Sequence, residues 1–173
     1  MSLSYRVTQL WWNITAEPLP DPVRREIDAV LSSAEKDLFF MFQESDQWHA
    51  HRVYSLLQQA GQTQPDLLAA AFLHDVGKTR VNLSVWDRML TVIADRLMPA
   101  KAISWGQGDL NSWKRPFVVR YHHAQWGAEM AQSAGSSALT ISLIRRHQDT
   151  MPAASQSFED ELLRFLQWAD GLN

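Results

Sequence analysis

The chain has 173 residues, 46% hydrophobic and 20% charged, with a formal net charge of −3. That length suits one domain with a substantial core, and so small a charge gives no global field toward nucleic acid or an anionic membrane. Cysteine is absent, which excludes disulfides and thiolate sites, and no apolar run approaches the ~20 residues of a membrane span.

The opening residues lack the apolar core of a signal peptide, and the missing cysteine fits a reducing compartment, so a cytoplasmic location is expected. Residues 3–14 place Leu3, Val7, Leu10, Trp11 and Ile14 at helical spacing and predict an amphipathic helix packed on the body. Pro18, Pro20 and Pro22 break that pattern. Asp21-Pro22 reads as an N-cap followed by proline at the first helical position, opening a helix through Leu31. Residues 33–43 give a second helix with Leu38, Phe39, Met41 and Phe42 as its apolar surface. Ser45-Asp46 begins the next, which Gly61 closes; His49, Val53, Leu56, Leu57 and Ala60 form its stripe. Pro65 opens a helix whose stripe is Leu67, Ala70, Ala71 and His74, with Gly77 placed to end it.

Ser84 caps a further helix with Val85, Trp86, Met89, Leu90, Ile93 and Leu97 on one face. Over residues 99–116 the periodicity fades, and Gly106 and Gly108 predict a loop long enough to act as a lid. A helix bearing His122-His123 then runs to about Ala134. Its small residues Ala124, Gly127, Ala128 and Ala131 would let another helix come close. Ser136 or Ser137 starts the next, with Ile141, Leu143, Ile144 and His147 near one side. Ser157-Phe158-Glu159-Asp160 resembles a capping box for a last helix carrying Leu162, Leu163, Leu166, Ala169 and Asp170. Nothing alternates with a period of two. The expected fold is all-α: residues 1–44 form a helical extension packed on one compact bundle, residues 45–173.

The chemistry starts at Leu73-His74-Asp75-Val76-Gly77-Lys78. Two adjacent polar residues aimed at a core are costly unless something binds them. A divalent cation would, since imidazole and carboxylate are its ordinary ligands, and Lys78 could hold an anion beside it. Asp170 follows Leu163 and Leu166 toward the core, in a C-terminal turn where the helix dipole disfavours an anion. Either a cation answers it, or it faces solvent at a frayed end. His49 and His147, each taken alone, read as hydrogen-bonded core histidines. His51 lies off the stripe, and His122 competes with His123 for the inward position. Yet His49, His74, His123 and His147 are four of the six histidines, all at stripe positions on successive helices. A shared metal centre is the simpler explanation.

The order of His49-Ala50-His51-Arg52-Val53, Leu73-His74-Asp75-Val76-Gly77-Lys78 and Asp170 resembles the HD superfamily of metal-dependent phosphohydrolases. The added His123-Ala124-Gln125-Trp126-Gly127 and Arg146-His147 resemble its two-metal subset, which includes the HD-GYP phosphodiesterases and hydrolases of symmetrical dinucleoside tetraphosphates. The resemblance covers roughly residues 49–170. It implies one metal held by His49, His74, Asp75 and Asp170, and a second held by His123 and His147 with Asp75 bridging. Manganese, iron, magnesium, cobalt or nickel would serve. Asp75 and Lys78 would be the catalytic residues, Lys78 against a substrate phosphate.

After His147 the chain reads Gln148-Asp149-Thr150-Met151-Pro152, without the Gly-Tyr-Pro segment, so a cyclic dinucleotide substrate and a third metal are not expected. The implied activity is hydrolysis of a phosphoester or phosphoanhydride of a small phosphorylated molecule, a nucleotide being the expected class, with neither nucleic acid nor membrane as partner. Two rivals use the same scaffold: a mixed-valence di-iron oxygenase, and a metal-stabilised nucleotide-binding module without turnover. Oligomeric state leaves no mark in the sequence.

Overall fold

The structure, a computed structural model, describes residues 17–151 and 157–172. The helix expected over residues 3–14 lies outside them. Among the described residues there is no strand, and the all-α expectation holds. No helix of the described residues is long and apolar enough to cross a membrane.

Helix α1 (Asp21–Val30) starts one residue earlier than the sequence suggests. Pro20 is its N-cap, and Asp21 supplies an acidic group in the first turn, where the helix dipole favours one. Helix α2 (Ser33–Phe39) begins with a full capping box: the Glu35 amide donates to Ser32 Oγ, and the Ser32 amide donates to Glu35 Oε2 at 2.9 Å. It ends at Phe39 rather than Gln43. Phe39 and Phe42 both turn inward, and the Phe39 ring meets Phe42 and Phe72 edge-on at 5.8 and 5.6 Å. Gln47 fixes the turn by donating Nε2 to the Phe42 carbonyl at 2.9 Å.

Helix α3 (Glu44–Gln59) ends where Gly61 adopts φ 77°, a backbone region open to glycine at no steric cost. Helix α4 (Pro65–Leu73) is the axis of the molecule: every residue from Leu67 to Leu73 is buried. An all-round apolar helix belongs in the interior, and α1, α2, α3, α8 and α9 pack around it. His74 is its C-cap, and a 3₁₀ segment (Val76–Arg80) follows.

Gly77 therefore does not stop a helix; it lets two backbones touch. A Cβ there would lie 2.0 Å from the His123 carbonyl oxygen and 2.6 Å from the Gly127 nitrogen, both on α7 (Arg115–Ser133). Gly127 is less confined, with Ile144 Cγ2 3.2 Å from where its Cβ would sit. Ala124, Gly127, Ala128 and Ala131 are buried, as the small-residue patch predicts. Helix α8 (Ala138–Arg146) also packs on α7.

Helix α9 (Phe158–Gly171) is capped by Ser157. Arg146 binds Glu159 and also Asp160 Oδ1, the latter at 2.6 Å, tying the end of α8 to the first turn of α9.

Between the 3₁₀ segment and α7 lie α5 (Val85–Leu97) and α6 (Pro99–Trp105). The loop expected over residues 99–116 is helical in its first part. Pro99 occupies the first helical turn, and Ala102 packs against Ala94 and Phe117 in a small separate core. Trp105 meets the Phe117 and Trp113 rings at 5.0 and 5.1 Å. The apolar stripe of α5 stays largely outside, with Trp86 78% and Leu97 69% exposed.

Candidate metal centre

The elements deliver six donor side chains to one place. His49 comes from the middle of α3, His74 and Asp75 from the end of α4, His123 from α7, His147 from the C-cap of α8, and Asp170 from the last turn of α9. They form two groups, His49–His74–Asp170 and Asp75–His123–His147, and the ligand atoms of each lie within 4.8 Å of one another. Asp75 stands between the groups. Its Oδ2 is 3.7 Å from His49 Nε2 and 3.5 Å from His74 Nε2. Its Oδ1 is 3.2 Å from His123 Nε2 and 3.7 Å from His147 Nε2. Asp170 Oδ1 is 3.1 Å from His49 Nε2 and 3.6 Å from His74 Nε2, so the last helix faces inward at this turn.

The imidazoles are oriented by their own helices. Nδ1 of His74 donates to the Ala71 carbonyl at 3.0 Å, that of His123 to Arg120 at 2.8 Å and that of His147 to Ile144 at 2.7 Å. A carbonyl only accepts, so in each ring the hydrogen is on Nδ1 and the Nε2 lone pair faces the site. His123 Nε2 and His147 Nε2 are 3.2 Å apart, and His49 Nε2 and His74 Nε2 are 3.3 Å apart. Opposed lone pairs at this distance repel unless a proton or a cation lies between them. Burial first, then the charge of His74, pushes the His147 pKa down to about 3, so His147 does not carry the bridging proton at neutral pH. Imidazole nitrogens and carboxylate oxygens without sulfur are the donors of a divalent first-row cation, and this donor set fits one.

Electrostatics point the same way. Burial opposes the charge on Asp75, but Lys78, His74 and His123 hold its carboxyl well below the usual range. Burial also opposes the charge on Asp170, but His49 and His74 together outweigh it and lower the carboxyl's pKa. Burial would lower His74; Asp75 and Asp170 outweigh it and raise the net pKa. The C-termini of α4, α8 and α9 all end here, and their exposed carbonyls favour positive charge. Lys78 Nζ is 2.5 Å from Asp75 Oδ2.

Other residues singled out by sequence fall elsewhere. His51 pairs with Glu26 at 2.9 Å, away from both groups. His123 is fully buried in the site, while His122 stacks on Trp126 at 5.5 Å and lines a neighbouring groove. Arg146, next to His147, is engaged by Glu159 and Asp160. Asp149 lies 3.7 Å from Arg146. Sequence reasoning missed Arg88. Asp46 grips it with two bonds of 2.9 Å and fixes it beside Lys78, where both line a cavity of about 300 Å³ that reaches His123. No local pattern marks it, because the two partners lie 42 residues apart.

Neither the curated proteins nor the solved structures compared with this chain give a match. The family model for the HD domain matches residues 48–173, a span that contains all six donors, and over that length it shows that the chain belongs to the HD domain family.

Proposed function

We propose that this protein is a metal-dependent phosphohydrolase acting on a small phosphorylated molecule, with a nucleotide as the expected class. Bound cations would lower the pKa of a coordinated water and neutralise charge developing on the transferring phosphoryl group. The chain's own residues supply the rest. His49, His74 and Asp170 make up one donor set, and His123 and His147 the other. Asp75 turns one oxygen toward each. Lys78 is a point charge at the edge of the site, placed for a phosphate oxygen. The observation that carries the reading is the single buried carboxylate whose two oxygens face separate histidine pairs.

Replacing Asp75 with alanine tests it. Elemental analysis should show loss of bound metal, and hydrolysis of p-nitrophenyl phosphate should fall by roughly 100-fold or more, the upper end of what even residues supporting metal ligands cost. A variant that keeps both metal and rate refutes the assignment. The same donor set suits iron. Oxygen consumption by iron-loaded protein with a phosphonate or polyol would move the assignment to oxygenase chemistry. Lys78→Ala should retain metal yet lose about 100-fold in turnover, the scale of one removed charge-stabilising donor; an unchanged rate removes Lys78 from the reaction.

A further inference from the structure

Two cavities meet beside the histidine groups. The inner one, about 300 Å³, is lined by His123, Lys78, Arg88, Arg120 and Gln148. The outer one, about 690 Å³, runs between α6 and α7 past Ile103, Tyr121 and His122 to Arg145 and Asp149. Arg120 and Gln148 line both. They stand between the two cavities.

The inner cavity has three cationic side chains and no carboxylate among its described lining residues. Lys78, against Asp75, is the one nearest the metal donors. A phosphate held there leaves Arg88 and Arg120 facing whatever the substrate carries next. Asp46 holds Arg88 with two bonds, so its guanidinium presents fixed donors, and planar guanidinium groups favour phosphate and carboxylate oxygens. At about 300 Å³ the inner cavity is at the small end of ligand sites, so a larger organic group must extend past Arg120 into the outer groove. That groove has the half-exposed Tyr121 ring and apolar Ile103 on its walls, with Gln148 and Asp149 as hydrogen-bonding groups.

We infer that Arg120 and Gln148 are specificity-determining residues. They select substrates that carry a second anion and an organic group beyond it over simple phosphate monoesters. This rests on the hydrolase reading for the position of the first phosphate.

Equilibrium binding tests it without turnover. Metal-replete protein is titrated calorimetrically with methylphosphonate, which has one anionic group and no extension, and with adenosine 5′-(α,β-methylene)diphosphate, which has both. Wild type should bind the diphosphate analogue roughly tenfold or more tightly. Arg120→Ala should erase most of that advantage and leave methylphosphonate within about twofold, a margin expected for one charge-assisted contact. Gln148→Ala, a smaller perturbation, should lower only the diphosphate affinity. Equal wild-type affinity for the two probes, binding of neither, or equal loss of both in Arg120→Ala overturns the inference. Selective binding as described, with no phosphate released from hydrolysable nucleoside diphosphates, would uphold the subsite and refute the hydrolase reading instead.

Discussion

His74, His123 and His147 each give the Nδ1 hydrogen to a carbonyl three residues back on the same helix. That one bond decides which nitrogen faces the site and aims it before any ligand arrives. The arrangement has a titration consequence in protein stripped of metal. The His147 pKa is about 3, against 6.5 for the free side chain. Between those values the unfolded chain takes up a proton that the folded chain refuses, so stability falls as pH drops below about 6.5. His74 has the opposite sign: its pKa is raised, and its contribution, present below 6.5, is lost as pH rises through the folded value. His147→Gln should flatten the decline of melting temperature between pH 6.5 and 5 in chelated protein. Parallel slopes for variant and wild type would contradict the burial argument.

The residue scale was also where sequence reasoning went furthest. Helical phase left His122 and His123 in competition, with the spacing to Gly127 favouring His123, and it is His123 that the structure buries. Asp170 stayed ambiguous, because a residue three from the end faces core or solvent depending on what packs against it.

At the scale of elements, Gly77 sets where α7 stands relative to the end of α4, and with it the distance from Asp75 to His123. Gly77→Ala puts a methyl group into the α7 backbone, where no side chain can yield. The cost should reach or exceed the upper part of the roughly 1–3 kcal/mol typical of overpacking, and bound metal should fall with it. Gly127→Ala meets its neighbours at 3.2 Å and should cost less. Thermal melts with metal analysis compare the two; equal effects would mean the Gly77 contact does not hold the register. The long helices were legible because their apolar residues recur with the helical period. Helix α6 was not, being a short helix whose stability comes from Ala94, Phe117 and Trp113 outside its own span. Gly77 looked like a helix stop because sequence cannot tell a glycine that bends the chain from one that lets a neighbour in.

For the whole molecule, three helix C-termini and two carboxylates converge on one site, and a cation there relieves the opposed imidazole lone pairs. Metal should therefore stabilise the fold. Loading at 100 times the Kd adds about 2.7 kcal/mol; at about 2–4 °C per kcal/mol for a chain of this size, the melting temperature should rise by about 5–10 °C over chelated protein. No shift on adding manganese or iron would leave the centre without a role in stability. The HD architecture could be read from the order of the donors. Arg88 could not, since its place depends on α5 docking across the N-terminal end of α3.

Lys78 and the His49–His74 pair look at the same oxygen, Asp75 Oδ2, the lysine from 2.5 Å. With nothing else in the site, the ammonium is spent on that carboxylate and has little attraction left for a passing anion. An ion at the histidines would draw the oxygen away and free the lysine. Assembly then has a direction, cation first and phosphate second, and chelated protein should ignore inorganic phosphate at concentrations that saturate the loaded form.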